Sequence, residues 1–266
     1  MSRVYDQFVT ILGDIKLFKF PFWLVYDPGS YRIKGPEMRA IQSGVRPGDV
    51  FLRRYDNYLD SRIITGVFSH AALFLGEVTE SDEVETPEGA NRAMSFSVGP
   101  AQIAHSTAEG VHLEDILTFL QCDGVAILRF PEILHRLASP PPPPPDFETW
   151  HDDEKAVHRR LESGLDVPFS EVVPIVRDLA LGQLGTPYDF SFDFENGNRL
   201  SCTEFVAHCY RCLQPVHGIA PKRQSFLGGL RHEVVIRPDD FLKSPQLDRI
   251  HVTPGIEDLV NRTVRA

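Results

Sequence analysis

The sequence reads as an α+β protein, and three observations carry that reading. Short apolar or alternating runs gather in the first half: Val50-Phe51-Leu52-Arg53, Ser69 to Gly76, Ala101 to Ser106 and Val125 to Phe130. Longer stretches of helical composition follow at Phe147 to Glu162 and Val172 to Leu184. Beyond them lies Leu200-Ser201-Cys202-Thr203-Glu204-Phe205-Val206, where Ser201, three residues ahead of Glu204 and just before an apolar run, marks a capping box. Ser201 is then the N-cap, and Cys202 opens a helix that reaches about Leu213.

Taken in order, residues 1–45 read as an N-terminal extension. A helix is expected over Val4 to Phe18, then the aromatic cluster Phe18 to Tyr26, then a passage rich in Pro and Gly. Arg46-Pro47-Gly48-Asp49 is a turn that opens the main domain, taken as 46–240. Tyr58 to Gly66 has helical spacing, and Glu77 to Pro100 is an acidic hairpin or loop around Pro87-Glu88-Gly89. Gly110-Val111-His112-Leu113 leads into a helix expected over Leu113 to Leu120. Pro140 to Pro145 is an unbroken proline run within an insertion near 139–147; it holds polyproline II geometry and is read as a stiff spacer. Pro174 is placed in the first turn of its helix, Gly185-Thr186-Pro187-Tyr188-Asp189-Phe190 turns into an extended segment, and Asn196-Gly197 is a second turn. Glu233 to Arg237 is the last expected strand, and 241–266 reads as a tail with a short final helix.

Composition removes several functions. A formal charge of −10 over 266 residues and the lack of a dense Lys/Arg run argue against a nucleic-acid partner. Four cysteines are too few for a disulfide scaffold, and no secretory signal pattern opens the chain, so the expected compartment is the cytoplasm. Cys209-x-x-Cys212 is half a zinc pattern without a second pair, so neither metal nor other cofactor is expected. No apolar run is long enough to cross a bilayer. The Phe18 to Tyr26 cluster is either a brace on its own domain, a contact with a membrane surface, or the lining of an apolar substrate site.

A thiol at a helix start meets unpaired N–H groups and the positive end of the helix dipole, which favour thiolate; the plain alternative is a small buried residue. A cysteine nucleophile needs a base, and the base needs a polar group to hold its ring. Of ten histidines, His70 and His105 fall in apolar strands. Side chains alternate, so His70 shares a face with Ala72 and Phe74, and His105 with Ala101 and Ile103; if the strands are neighbours, both rings project from one side towards Cys202. His135, His151, His158 and His232 stand in polar contexts and are expected in solvent, and His208 is expected to be structural.

With these residues in place, the chain resembles the circularly permuted papain-like amidases and peptidases of the YiiX and YaeF type. These are relatives of cell-wall gamma-D-glutamyl endopeptidases and of lecithin:retinol acyltransferase. The resemblance rests on Pro47-Gly48-Asp49-Val50, Ser69 to Gly76, Ile103-Ala104-His105-Ser106, Gly185 to Phe190 and Ser201 to Val206, in family order over about Arg46 to Leu213. It implies a permuted papain-like fold, with an antiparallel sheet packed against the cysteine helix. It also implies Cys202 as nucleophile, His70 as base, His105 as the third polar residue, and Tyr188 near the substrate or its oxyanion. The activity implied is hydrolysis of an amide bond, peptide or isopeptide, in a small peptide or amino-acid amide through a Cys-His-His acyl-enzyme mechanism. Two alternatives stand beside it: acyl transfer or hydrolysis on a lipid-like ester or thioester, and a non-catalytic module that binds a ligand in the same cleft.

Overall fold

Val50 and Leu52 lie in one buried cluster and Phe51 in another, so the strand that carries them is apolar on both sides and must be covered twice. A computed structural model describes residues 15–18, 23–26, 31–56, 66–82, 96–191, 198–226 and 231–265, and shows how that covering is done. The elements are β1 (Ile15–Phe18), β2 (Trp23–Tyr26), α1 (Gly35–Gly44), β3 (Val50–Arg54), β4 (His70–Val78), β5 (Gly99–Thr107), β6 (Gly110–Asp115) and α2 (Ile116–Phe119). They continue with β7 (Gly124–Arg129), β8 (Ile133–Leu134), α3 (Asp152–Glu162), β9 (Val167–Pro168), α4 (Phe169–Gly182) and α5 (Cys202–Cys209). The chain closes with β10 (Lys222–Phe226), β11 (Arg231–Val235), β12 (Asp248–Val252) and α6 (Glu257–Arg265).

Six strands form one antiparallel sheet in the order β12-β7-β3-β4-β5-β6. One face, with Val50, Leu52, Ala71, Leu73, Ala104 and Leu128, packs against Val157 and Leu161 of α3, Val172 and Val176 of α4, and Phe205 and Val206 of α5. The other face, with Phe51, Ala72, Phe74, Ile103 and Ile127, is covered thinly by Ile41 of α1 and by Ile116 and Phe119 of α2. This is the α+β arrangement expected, with the cysteine helix laid on an antiparallel sheet.

The Pro47-Gly48-Asp49 turn ties these layers together. Gly48 adopts φ +91°, and a side chain there would meet the ring of Phe169 at 2.9 Å. Its carbonyl accepts the hydroxyl of Tyr210, the residue that ends α5. Asp49 is buried, takes both guanidinium arms of Arg129 at 2.7 Å, and accepts the backbone N–H of Arg46 at 2.7 Å.

Several expectations change. Ile15–Phe18 is a strand paired with Trp23–Tyr26, not the end of a helix; residues 1–14, 57–65 and 192–197, which hold the rest of that helix, most of the Tyr58 to Gly66 segment and the Asn196-Gly197 turn, lie outside the described residues, as does Pro87-Glu88-Gly89. Gly110–Asp115 is a strand, because Asp115 caps a separate one-turn helix by accepting Leu117 N–H at 2.8 Å. Pro174 is the sixth residue of α4, in its second turn; Ser170, whose carbonyl loses that partner, is exposed. The segment read as a tail is built into the sheet, since β12 pairs with β7, and Ile256 and Val260 are buried. His158 is buried between Phe147 and Trp150, with ring centroids at 5.0 and 5.6 Å, rather than solvated. The proline run Pro140 to Pro145 lies largely exposed on the surface.

Candidate active site

The cysteine helix begins as its sequence dictates. Ser201 Oγ accepts Glu204 N–H at 3.4 Å, and Glu204 Oε2 accepts Ser201 N–H at 2.7 Å, which closes the capping box and leaves Cys202 in the first turn. The approach to the helix is pinned twice. Ser106 Oγ donates to Leu200 C=O at 2.5 Å, and Leu200 N–H donates to Pro187 C=O at 3.0 Å. The second bond places the Gly185-Thr186-Pro187-Tyr188 turn beside the helix start. That turn is held on β6 by Val111 N–H to Thr186 C=O at 2.9 Å and Gly185 N–H to Val111 C=O at 2.8 Å. Gly110 makes the close approach possible: at φ +99° its missing side chain would stand 2.6 Å from Thr186 O. Tyr188 is half-buried, with its ring edge-on to Phe190 at 4.9 Å.

β4 and β5 are neighbours, and their register runs only as far as Leu73↔Ala104. Beyond that pair Cys202 meets the end of β4. Its thiol faces the backbone N–H groups of Ala71, Thr203 and Cys202 itself, all of which favour thiolate, but burial outweighs them and pushes the thiol up to about 11. Burial thus favours the neutral thiol, opposite to the push of the helix start. Because Ala71 N is one peptide bond from His70 Cα, the thiol lies alongside the His70 backbone.

The two histidines come together as strand alternation requires. His70 Nε2 and His105 Nδ1 are 2.9 Å apart, with the rings edge-on at 5.1 Å over Phe119. Both rings belong to the thinly covered face, and no hydrogen bond among the described residues joins either to Cys202 Sγ. Burial lowers both well below the usual histidine range, with Arg53 and His112 adding to the effect on each and His70 adding to it on His105. His105 is 1% exposed.

Three neighbours of this pair were missed from sequence. His112 stacks on His105 at 4.3 Å, Glu114 Oε2 lies 3.5 Å from His105 Nε2, and Arg53 NH1 lies 3.6 Å from the same carboxylate oxygen. Register explains the grouping: Arg53 opposes His70, His105 opposes His112, and Ile103 opposes Glu114, so all the polar members share one face. Read as a strand, Val111-His112-Leu113-Glu114 alternates and would have put His112 and Glu114 together. Read as a helix start, it could not. Among the described residues no group of three or more His, Cys, Asp or Glu is arranged to hold a metal ion, and Cys209 and Cys212 are buried free thiols.

Residues 151–251, which include Cys202 and the Gly-Thr-Pro-Tyr turn, match the family described as permuted papain-like amidase enzymes, YaeF/YiiX, C92 family. The match covers 101 of the 266 residues, the stretch that carries the cysteine helix. His70 and His105 precede the matched stretch, and no curated protein matches the chain. Among solved structures, the chain is similar to metalloprotein yiiX from Escherichia coli O157:H7, at 16% identity and a TM-score of 0.44, over 77% of this chain and 96% of that one. A cysteine hydrolase is the general kind of enzyme the family stands for.

Proposed function

We propose that the chain is a cysteine hydrolase that cleaves an amide bond in a small peptide or amino-acid amide through an acyl-enzyme on Cys202. The observation that carries this reading is the placing of the Cys202 thiol at a capped helix start against the backbone N–H of Ala71, the residue that follows His70, whose own ring is hydrogen-bonded to His105. The thiol is neutral at rest, so the proton leaves during attack. His70 takes it as Sγ forms a bond to the carbonyl carbon, and the carbonyl oxygen becomes an oxyanion. On this reading the N–H of Cys202 and the Tyr188 hydroxyl donate to that oxyanion as it develops. Collapse breaks the C–N bond, His70 returns the proton to the leaving amine, and a thioester remains. Water, deprotonated by His70, then adds to the thioester; collapse releases the acid and restores the thiol. His105 holds the His70 ring throughout.

The test is turnover of gamma-linked peptides, amino-acid amides, phospholipids and acyl thioesters by wild type and Cys202→Ala. Amide hydrolysis that disappears in Cys202→Ala supports the proposal. Turnover confined to lipid or thioester, or amide turnover that survives Cys202→Ala, overturns it, and tight binding without turnover would make the chain a binding module.

A further inference from the structure

His105 Nε2, Glu114 Oε2 and Arg53 Nε are all buried and have no hydrogen-bond partner among the described residues. They are gathered behind His70 on β5, β6 and β3, with Glu114 Oε2 at 3.5 Å from His105 Nε2 and 3.6 Å from Arg53 NH1. Three unsatisfied atoms in one buried cluster call for a cause. Arg53 itself is fixed: NH1 donates to Phe119 C=O at 3.3 Å, and the guanidinium lies 4.3 Å over the Phe119 ring and 4.9 Å over Tyr55. Such a guanidinium stands as the counter-charge of the Glu114 carboxylate.

An ionised carboxylate facing an imidazole nitrogen dictates which nitrogen carries the proton. If His105 Nε2 were bare, a lone pair would face a negative oxygen. The favoured form puts the proton on His105 Nε2, which leaves His105 Nδ1 bare. At 2.9 Å from His70 Nε2, that bare nitrogen must accept, so His70 carries its proton on Nε2 and presents Nδ1 without one. We propose that Glu114, held by Arg53, is a positioning residue that sets the tautomers of the His70–His105 pair so that His70 Nδ1 is the base. The inference rests on the hydrolase reading for its consequence and on geometry alone for the tautomers. The other titratable groups facing the cluster are His112 from β6 and, at its margin, Tyr55 and Cys122; burial keeps the latter two neutral by pushing each up to about 12.

In Glu114→Gln the amide oxygen is drawn to Arg53 and the amide N–H₂ turns to His105. His105 Nε2 must then accept, and both tautomers invert. Ring-nitrogen NMR on the whole protein reads this directly. The expected wild-type spectrum has protons on His70 Nε2 and His105 Nε2; Glu114→Gln moves them to Nδ1 of each ring, and Glu114→Asp retains the wild-type pattern. With the base proton misplaced, kcat should fall by on the order of 10²–10⁴ with KM within about twofold of wild type, and Glu114→Asp should recover part of the loss. A wild-type spectrum with His70 protonated on Nδ1, or tautomers unmoved in Glu114→Gln, overturns the proposal. If Cys202→Ala and His70→Ala keep wild-type turnover, the hydrolase reading fails, while the spectra still decide the tautomers.

Discussion

Iodoacetamide should modify Cys202 more slowly than it modifies a free cysteine, at a rate that climbs steadily with pH. Burial pushes the Cys202 thiol up to about 11, against about 8.5 for an ordinary cysteine, so at neutral pH its thiolate fraction is smaller by ~300-fold. The more basic thiolate is intrinsically the better nucleophile, which restores roughly a factor of 10 and leaves the rate ~30-fold below that of a free thiol. Cys122 and Cys212 are pushed up to about 12, burial also raises Cys209 well above the usual thiol range, and none of the three is exposed, so Cys202 should still be modified first. The assay is peptide mapping of carboxamidomethylated cysteines after timed exposure across about pH 6 to 10. A rate that rises about tenfold per pH unit fits a neutral resting thiol. Fast modification that stays flat from about pH 5 to 8 would mean a resting thiolate–imidazolium pair and refute the reasoning.

Other perturbations probe the supports of the site. Gly110→Ala would force a side chain into φ +99° and onto Thr186 O at 2.6 Å; the left-handed backbone alone costs about 1–2 kcal/mol, so a lower melting temperature and a lower kcat are expected, and unchanged values of both would contradict the role given to the Gly185 to Tyr188 turn. Ser201→Ala removes the oxygen that accepts Glu204 N–H and should cost about 1 kcal/mol in denaturant titration; a neutral result would mean that the cap contributes nothing. Acid should destabilise the fold well before carboxylates titrate. Burial lowers His217 to about 4 from about 6.5, so the unfolded chain binds the proton first: stability is full above about pH 6.5 and falls as pH drops towards 4, by on the order of 3 kcal/mol from this residue. His70, His105, His158 and His208 are shifted the same way, and a denaturation midpoint that is flat over that range would contradict this account.

Strands with apolar residues on both faces and turns at both ends were legible, which is why β3, β4, β5 and β7 stand where the sequence puts them. The capping box was legible because it is a contact between residues three apart. β12 was not: Asp248-Arg249-Ile250-His251-Val252 is a mostly exposed edge strand and carries little apolar signal. Arg53 and Glu114 were beyond reach for another reason. They arrive from two strands on either side of the histidine pair, and the register that brings them together is a property of the sheet. The balance at the Cys202 thiol was legible only on one side: helix-end N–H groups are visible in sequence, whereas the burial that opposes them is a property of the packed fold.

The most direct measurement is to trap the acyl-enzyme: acid-quench a reaction on an amide substrate and map the adduct by mass. A hydroxylamine-labile acyl group on Cys202, absent in Cys202→Ala and strongly reduced in His70→Ala, is the result predicted. Turnover without any adduct on Cys202, or an equal adduct in His70→Ala, would contradict the account.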